Sequence, residues 1–144
     1  MAITQALPNS FKKQLLDGDQ DFSSAGGDKF KLALYVSTAT LGASTTSYTA
    51  SGEVSSSGTG YTTGGLALVN SGTSVVSTVA FTDFADLSFT SVTLTARGCL
   101  IYNTSFSNSA VAVLNFGADK TATAGTFTIQ FPAFTSSAAI IRIS

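Results

Sequence analysis

From residue 30 onward, apolar and polar residues alternate in short runs, and Gly, Ser, Asn and Asp punctuate the runs. A period of two places successive side chains on opposite faces of an extended strand, so the pattern commits the chain to sheet. Phe30, Leu32, Leu34 and Val36 alternate with Lys31, Ala33, Tyr35 and Ser37, which predicts a half-buried strand with one apolar face. Further strands are predicted over 66–70, 75–82, 87–90, 92–98, 100–103, 110–116, 126–131 and 139–143. Gly98 marks a bulge or bend between two of them. The apolar run 110–116 reads as covered on both faces, 117–125 reads as a connection, and Pro132 stops the strand before it. About eight strands with no helix between them predict an all-β fold, an antiparallel β-sandwich or barrel.

Two segments break the pattern. Residues 38–64 are rich in Ser, Thr and Gly, with Leu41, Tyr48, Val54 and Tyr61 at wide intervals. So long an irregular stretch is unusual in a compact domain; it is expected to lie over the sheet, anchored by those four side chains. Residues 1–29 differ again. Asn9 or Ser10 can cap a short helix, Phe11 and Leu15 share a face at i and i+4, Leu16 widens the stripe, and Gly18 suits the stop. A helix this short is marginal alone and must dock on its own sheet or on a neighbour. Residues 17–29 read as an exposed acidic, Gly-rich loop. The predicted organisation is an N-terminal arm, 1–29, followed by a β-sandwich domain, 30–144.

The chemistry available is sparse. The chain has no His, one Cys, no Trp and 10% charged residues, whereas Ser and Thr fill 42 of 144 positions. His is the side chain that titrates near neutral pH unperturbed, so general acid–base and Ser or Cys nucleophile mechanisms lack their usual base. The reading is therefore not an enzyme, with no cofactor and no catalytic or metal residues. Cys99 is alone, so it forms no intrachain disulfide, and no Cys/His zinc site can be assembled. Lys12, Lys13, Lys29, Lys31, Arg97, Lys120 and Arg142 are scattered and net charge is −1; no stripe exists for nucleic acid. No apolar run approaches a membrane span and the start lacks a secretory pattern, so the expectation is a soluble protein made in the cytoplasm.

Candidate motifs weaken on inspection. Asp17, Asp19 and Asp21, with Asp28 at the twelfth position, match part of a calcium loop. Phe22 nevertheless occupies the position that wants Gly, and a strand follows where a helix is needed. Glu53, Asp83, Asp86 and Asp119 fall in predicted turns, and turn capping accounts for the aspartates. Gly58-Thr59-Gly60-Tyr61 lacks the Lys and the strand–loop–helix setting of a phosphate loop. Tyr35, Tyr48, Tyr61 and Tyr102 fall on the polar face or in loops, where they are candidates for packing on a neighbouring subunit or stacking on a sugar.

Three stretches resemble a small structural protein of tailed bacteriophages: FKLALYVSTATLGASTTSYTASGEV at 30–54, FTDFADLSFTSVTLTARGCLIYN at 81–103 and AVAVLNFGADKTATAGTFTIQFP at 110–132. The opening MAITQALPNSFKKQLL at 1–16 resembles the start of that family, so the likeness covers nearly the whole chain. It implies a virion protein similar to the jelly-roll capsid cement, or decoration, proteins that bind the outside of an icosahedral shell. The implied partners are the major capsid protein and sibling subunits in a homo-oligomer, with no nucleic acid and no membrane. Phe11, Leu15 and Leu16 would then serve as an arm reaching an adjacent subunit. A neck, tail or fibre component and a carbohydrate-binding module are the alternatives.

Overall fold

The structure, a computed structural model, describes residues 2–144. One helix, α1 (Asn9–Asp17), precedes seven strands: β1 (Phe30–Tyr35), β2 (Leu66–Ala67), β3 (Asn70–Val76), β4 (Val79–Phe84), β5 (Leu87–Asn103), β6 (Ser109–Ile129) and β7 (Ile141–Ile143). They form two antiparallel sheets, ordered β2-β1-β5-β6 and β3-β4-β7. The all-β reading holds in this form. Among the described residues the strands number seven, where about eight are expected from the sequence, and three consecutive pairs (β1–β2, β3–β4 and β5–β6) are sheet neighbours. That is a more local connectivity than the interleaved Greek keys of a jelly roll.

Several predicted boundaries move for one reason. Phe89, Val92, Leu94, Ala96, Cys99 and Ile101 all reach the same core, at spacings of three, two, two, three and two. An odd step flips a strand's facing, so each needs a bulge. The pairing with β6 shifts register between Phe89 and Val92 and again between Ala96 and Gly98. The bulge expected at Gly98 is therefore present, while the stretches predicted as separate strands are one β5. On β6, Ala122 and Phe127 both face inward five residues apart. The segment 117–125, predicted as a connection, is continuous strand whose alternation is broken by bulges. Conversely, the strand predicted over 75–82 is a tight hairpin: Val76 pairs with Val79, and Ser77 turns the chain with φ of 55°. A two-residue turn of this hand normally carries Gly or Asn, and Ser77-Thr78 offers neither signal.

Around β1 the four-stranded sheet is covered on both faces, whereas its far part, where Thr93 and Thr95 of β5 stay exposed, is covered on one. Phe30, Leu32 and Leu34 of β1 point into the main core, where they meet Phe84 and Ile141 of the second sheet. Ala33 and Tyr35 point the other way, into a second cluster with Ile3, Leu41, Leu100, Tyr102 and Val113. β1 is thus buried on both sides rather than half-buried, because the N-terminal residues and the 38–64 segment roof its outer face.

The N-terminal segment belongs to this body and does not stand off as an arm. Ala6 exchanges both backbone hydrogen bonds with Val113, at 3.0 and 2.9 Å. Phe11 is fully buried in the main core. Pro8, rather than Asn9 or Ser10, takes the N-cap position and no side chain caps the helix. Gly18 ends it in the left-handed conformation, φ 79°, as expected. The loop that follows is tied down: Phe22 stacks on Phe30 with ring centres 4.7 Å apart and planes 4° apart, and meets Phe11 and Phe84 edge-on. The aromatic side chain that spoiled the calcium-loop match is a core residue.

Candidate functional site

The feature with the densest polar chemistry lies where the 38–64 segment crosses the edge of β1. All four tyrosines of the chain gather there around Glu53, the single glutamate. Glu53 bridges Tyr35 across the β1 edge. On one face, the Tyr48 hydroxyl donates to Glu53 Oε1 at 2.6 Å. On the other, the Tyr61 hydroxyl donates to Oε2 at 2.7 Å, and the Gly64 N–H donates to the same oxygen at 2.7 Å. The Tyr61 oxygen in turn accepts the Leu34 N–H at 3.0 Å. Tyr102 donates to the Gly64 carbonyl at 2.6 Å, and Tyr35 donates to the Thr49 carbonyl at 2.6 Å.

Packing completes the cluster. The Tyr48 and Tyr102 rings stack at 4.8 Å, and Tyr61 stacks on Phe89 at 5.7 Å. Tyr35, Tyr61 and Tyr102 are buried and Tyr48 is half-buried. The backbone has to come close for this to close. At Gly65, with φ of 78°, a Cβ would sit 1.8 Å from the Leu32 carbonyl oxygen, so only Gly fits the passage.

The electrostatics are those of a clamp. Burial raises the phenols of Tyr35, Tyr48 and Tyr61 well above their ordinary range, and the adjacent Glu53 charge adds to it. Tyr102 is raised for the same two reasons. Neutral phenols are donors, and a carboxylate is an acceptor with two oxygens, both engaged here. The arrangement holds a loop to a sheet.

The tyrosines therefore sit together, but turned inward on one another rather than outward toward a sugar or a neighbour. Of the candidate arm residues, Phe11 is core and Leu15 is partly buried against it. Leu16 is 91% exposed and alone remains available to a partner. Glu53 was legible only as a turn acid, yet it is the sole charged residue between Lys31 and Asp83, a signal that could have marked it.

Several of the remaining acids have structural partners. Asp28 Oδ2 accepts the Asp21 N–H and the Nδ2 of buried Asn103, at 3.1 and 2.7 Å. Asp86 accepts the Phe131 N–H at 2.8 Å, and Asp119 pairs with Arg97 at 2.9 Å. Asp83 is buried: its Oδ1 accepts the Phe84 N–H, while its Oδ2 has no partner among the described residues. Burial raises its carboxyl above the usual range, partly offset by the Phe84 and Ile140 N–H groups. Cys99 is buried in the core, and its thiol is pushed up by desolvation alone. No family model, no curated protein and no solved structure matches the chain.

Proposed function

We propose that the chain is a bacteriophage virion structural protein, a capsid cement protein that binds the outside of the shell and stabilises it. The likeness of residues 1–16, 30–54, 81–103 and 110–132 to small phage structural proteins supplies the virion setting. The observation that carries the non-catalytic part is the fate of the polar groups: Glu53 and all four tyrosines are consumed in clamping one loop. What remains outside is largely Ser and Thr on a two-sheet body, a surface suited to adhesion by fit. Many weak contacts repeated over a lattice multiply into firm attachment. The role needs a rigid slab and not jelly-roll connectivity in particular.

The partners on this reading are the major capsid protein and sibling subunits. Contact would fall to exposed apolar residues such as Leu16, Val69, Val75, Val76 and Ile143, since Phe11 is occupied in the core. A neck, tail or fibre position is the second reading; the inward-turned tyrosines leave a carbohydrate-binding module without its aromatic platform. Quantifying the protein in purified virions tests the proposal. Copy number in fixed proportion to the major capsid protein is expected. A few copies per particle would transfer the chain to the neck or tail, and its absence from particles would overturn the virion role.

A further inference from the structure

The four-stranded sheet ends on β6, and that edge is only partly covered. Residues 3–6 run along it as far as Asn115: Ala6 pairs with Val113, the Asn115 N–H reaches Gln5 Oε1, and Asn115 Nδ2 reaches the Ile3 carbonyl. Beyond Asn115, no strand among the described residues pairs with the outer side of β6. A groove of about 600 Å³ opens beneath that stretch, bordered by Leu114, Phe116, Phe127, Ile129, Phe131 and Ile140. Gln5, which caps the covered part of the edge, also lines the groove, so the open part continues a strand addition the molecule already makes within itself.

We propose that a second copy of this chain fills this place, its 121–129 edge pairing antiparallel with the same edge about a two-fold axis. The sequence there, TATAGTFTI, decides the occupant. It carries no charge, so self-apposition sets no like charges opposite one another, the usual means by which a free edge is protected. Of the flanking charges, Asp119 is neutralised by Arg97 and Lys120 falls opposite Gln130 in this register rather than opposite a like charge, and the net charge of −1 opposes dimerisation little. The bulge near Ala124 lies at the two-fold, so the ladder forms as two runs, 121–123 of each copy against 127–129 of the other, roughly 10 Å each at about 3.3 Å per residue, and the groove adds apolar surface beside them. An isologous contact of this kind closes on itself and joins two sheets into one. It deepens the sibling-subunit part of the reading above, and it is testable on the purified protein alone. A monomer in solution would thus end this inference without touching virion occupancy.

The test is sedimentation equilibrium of the full chain, with circular dichroism to confirm that each variant is folded. Wild type is expected at twice the chain mass. Thr126, exposed on the open edge, is changed to Lys in one variant and to Glu in another. Each should weaken self-association at least tenfold, because like charges then meet across the two-fold. Mixing Thr126→Lys with Thr126→Glu should restore the doubled mass. Val75→Lys, on the other sheet, should leave the dimer intact. A monomeric wild type, a dimeric Thr126→Lys, no recovery on mixing, or loss of the dimer in Val75→Lys instead would each overturn the proposal.

Discussion

Glu53 receives the Tyr61 hydroxyl at 2.7 Å from one side of the β1 edge while the same carboxylate receives Tyr48 at 2.6 Å from the other. Tyr61 packs in the main core and Tyr48 against the outer cluster, so a single side chain joins the layers on the two faces of the sheet. The irregular 38–64 segment gains its order from this link together with short backbone bridges, Glu53 to Tyr35 and Ser47 to Ser109.

Replacing Glu53 by Ala should therefore cost far more than an exposed loop acid would. It strands the Tyr61 hydroxyl and the Gly64 N–H, and hydrogen bonds to a charged group contribute about 1.5–3 kcal/mol each. A loss of about 3 kcal/mol by urea denaturation is expected. Tyr48→Phe, which removes one partly exposed donor, should lose about 1 kcal/mol. Equal, negligible losses in both would show that the clamp does not carry stability.

Phe22 tests whether residues 2–29 belong to the β body. Its ring stacks on Phe30 and touches Phe11 and Phe84. Truncation to Ala should cost about 3–5 kcal/mol, the usual range for a buried Phe. Deleting residues 2–24 should abolish cooperative thermal unfolding. A deletion variant that melts like the full chain would mean that the arm is separable after all.

Asp83 gives a pH dependence of definite sign. Its carboxyl is raised in the folded state by burial, so folding favours the protonated form. Its contribution to stability is present below the unfolded value of about 3.9 and is lost as pH rises through the folded value. Asp83→Asn should lack that component. The difference in melting temperature between the variant and wild type should thus move in the variant's favour on going from acid to neutral pH. Parallel melting curves across that range would contradict it.

The tyrosines predict behaviour in alkali. Free phenols ionise near pH 10, but Tyr35, Tyr48 and Tyr61 are raised well above this by burial and by Glu53. Phenolate absorbance should stay low above that pH until the protein unfolds, then appear in one cooperative step together with reactivity of Cys99 toward a thiol reagent. The stability these phenols contribute is lost as pH climbs from their unfolded value toward their folded ones. A smooth titration of three phenols in the native protein would refute the buried network.

Strand-forming periodicity is readable in the sequence: β1 begins at Phe30 as the alternation indicates, and the helix stops at Gly18. The anchoring roles of Leu41, Val54 and Tyr61 in the 38–64 segment were readable too, and all three are buried. The joins between strands were not. A bulge at Ser91 or near Ala124, both with positive φ, inverts the facing of everything after it. A period-two pattern then looks like two strands with a gap.

The tyrosine cluster was hidden for a different reason. Alternation puts Tyr35 on the polar side of β1, and nothing in its neighbours says that a segment thirteen or more residues on will return to cover that side. By itself, the amino-acid order determined local matters: extended backbone, apolar faces, the helix stop, and the scarcity of titratable groups. Only the tertiary structure decided which faces are covered and whether Phe11, Phe22 and the tyrosines point inward. Burial depends on contacts between residues far apart in the chain, and no local pattern encodes them.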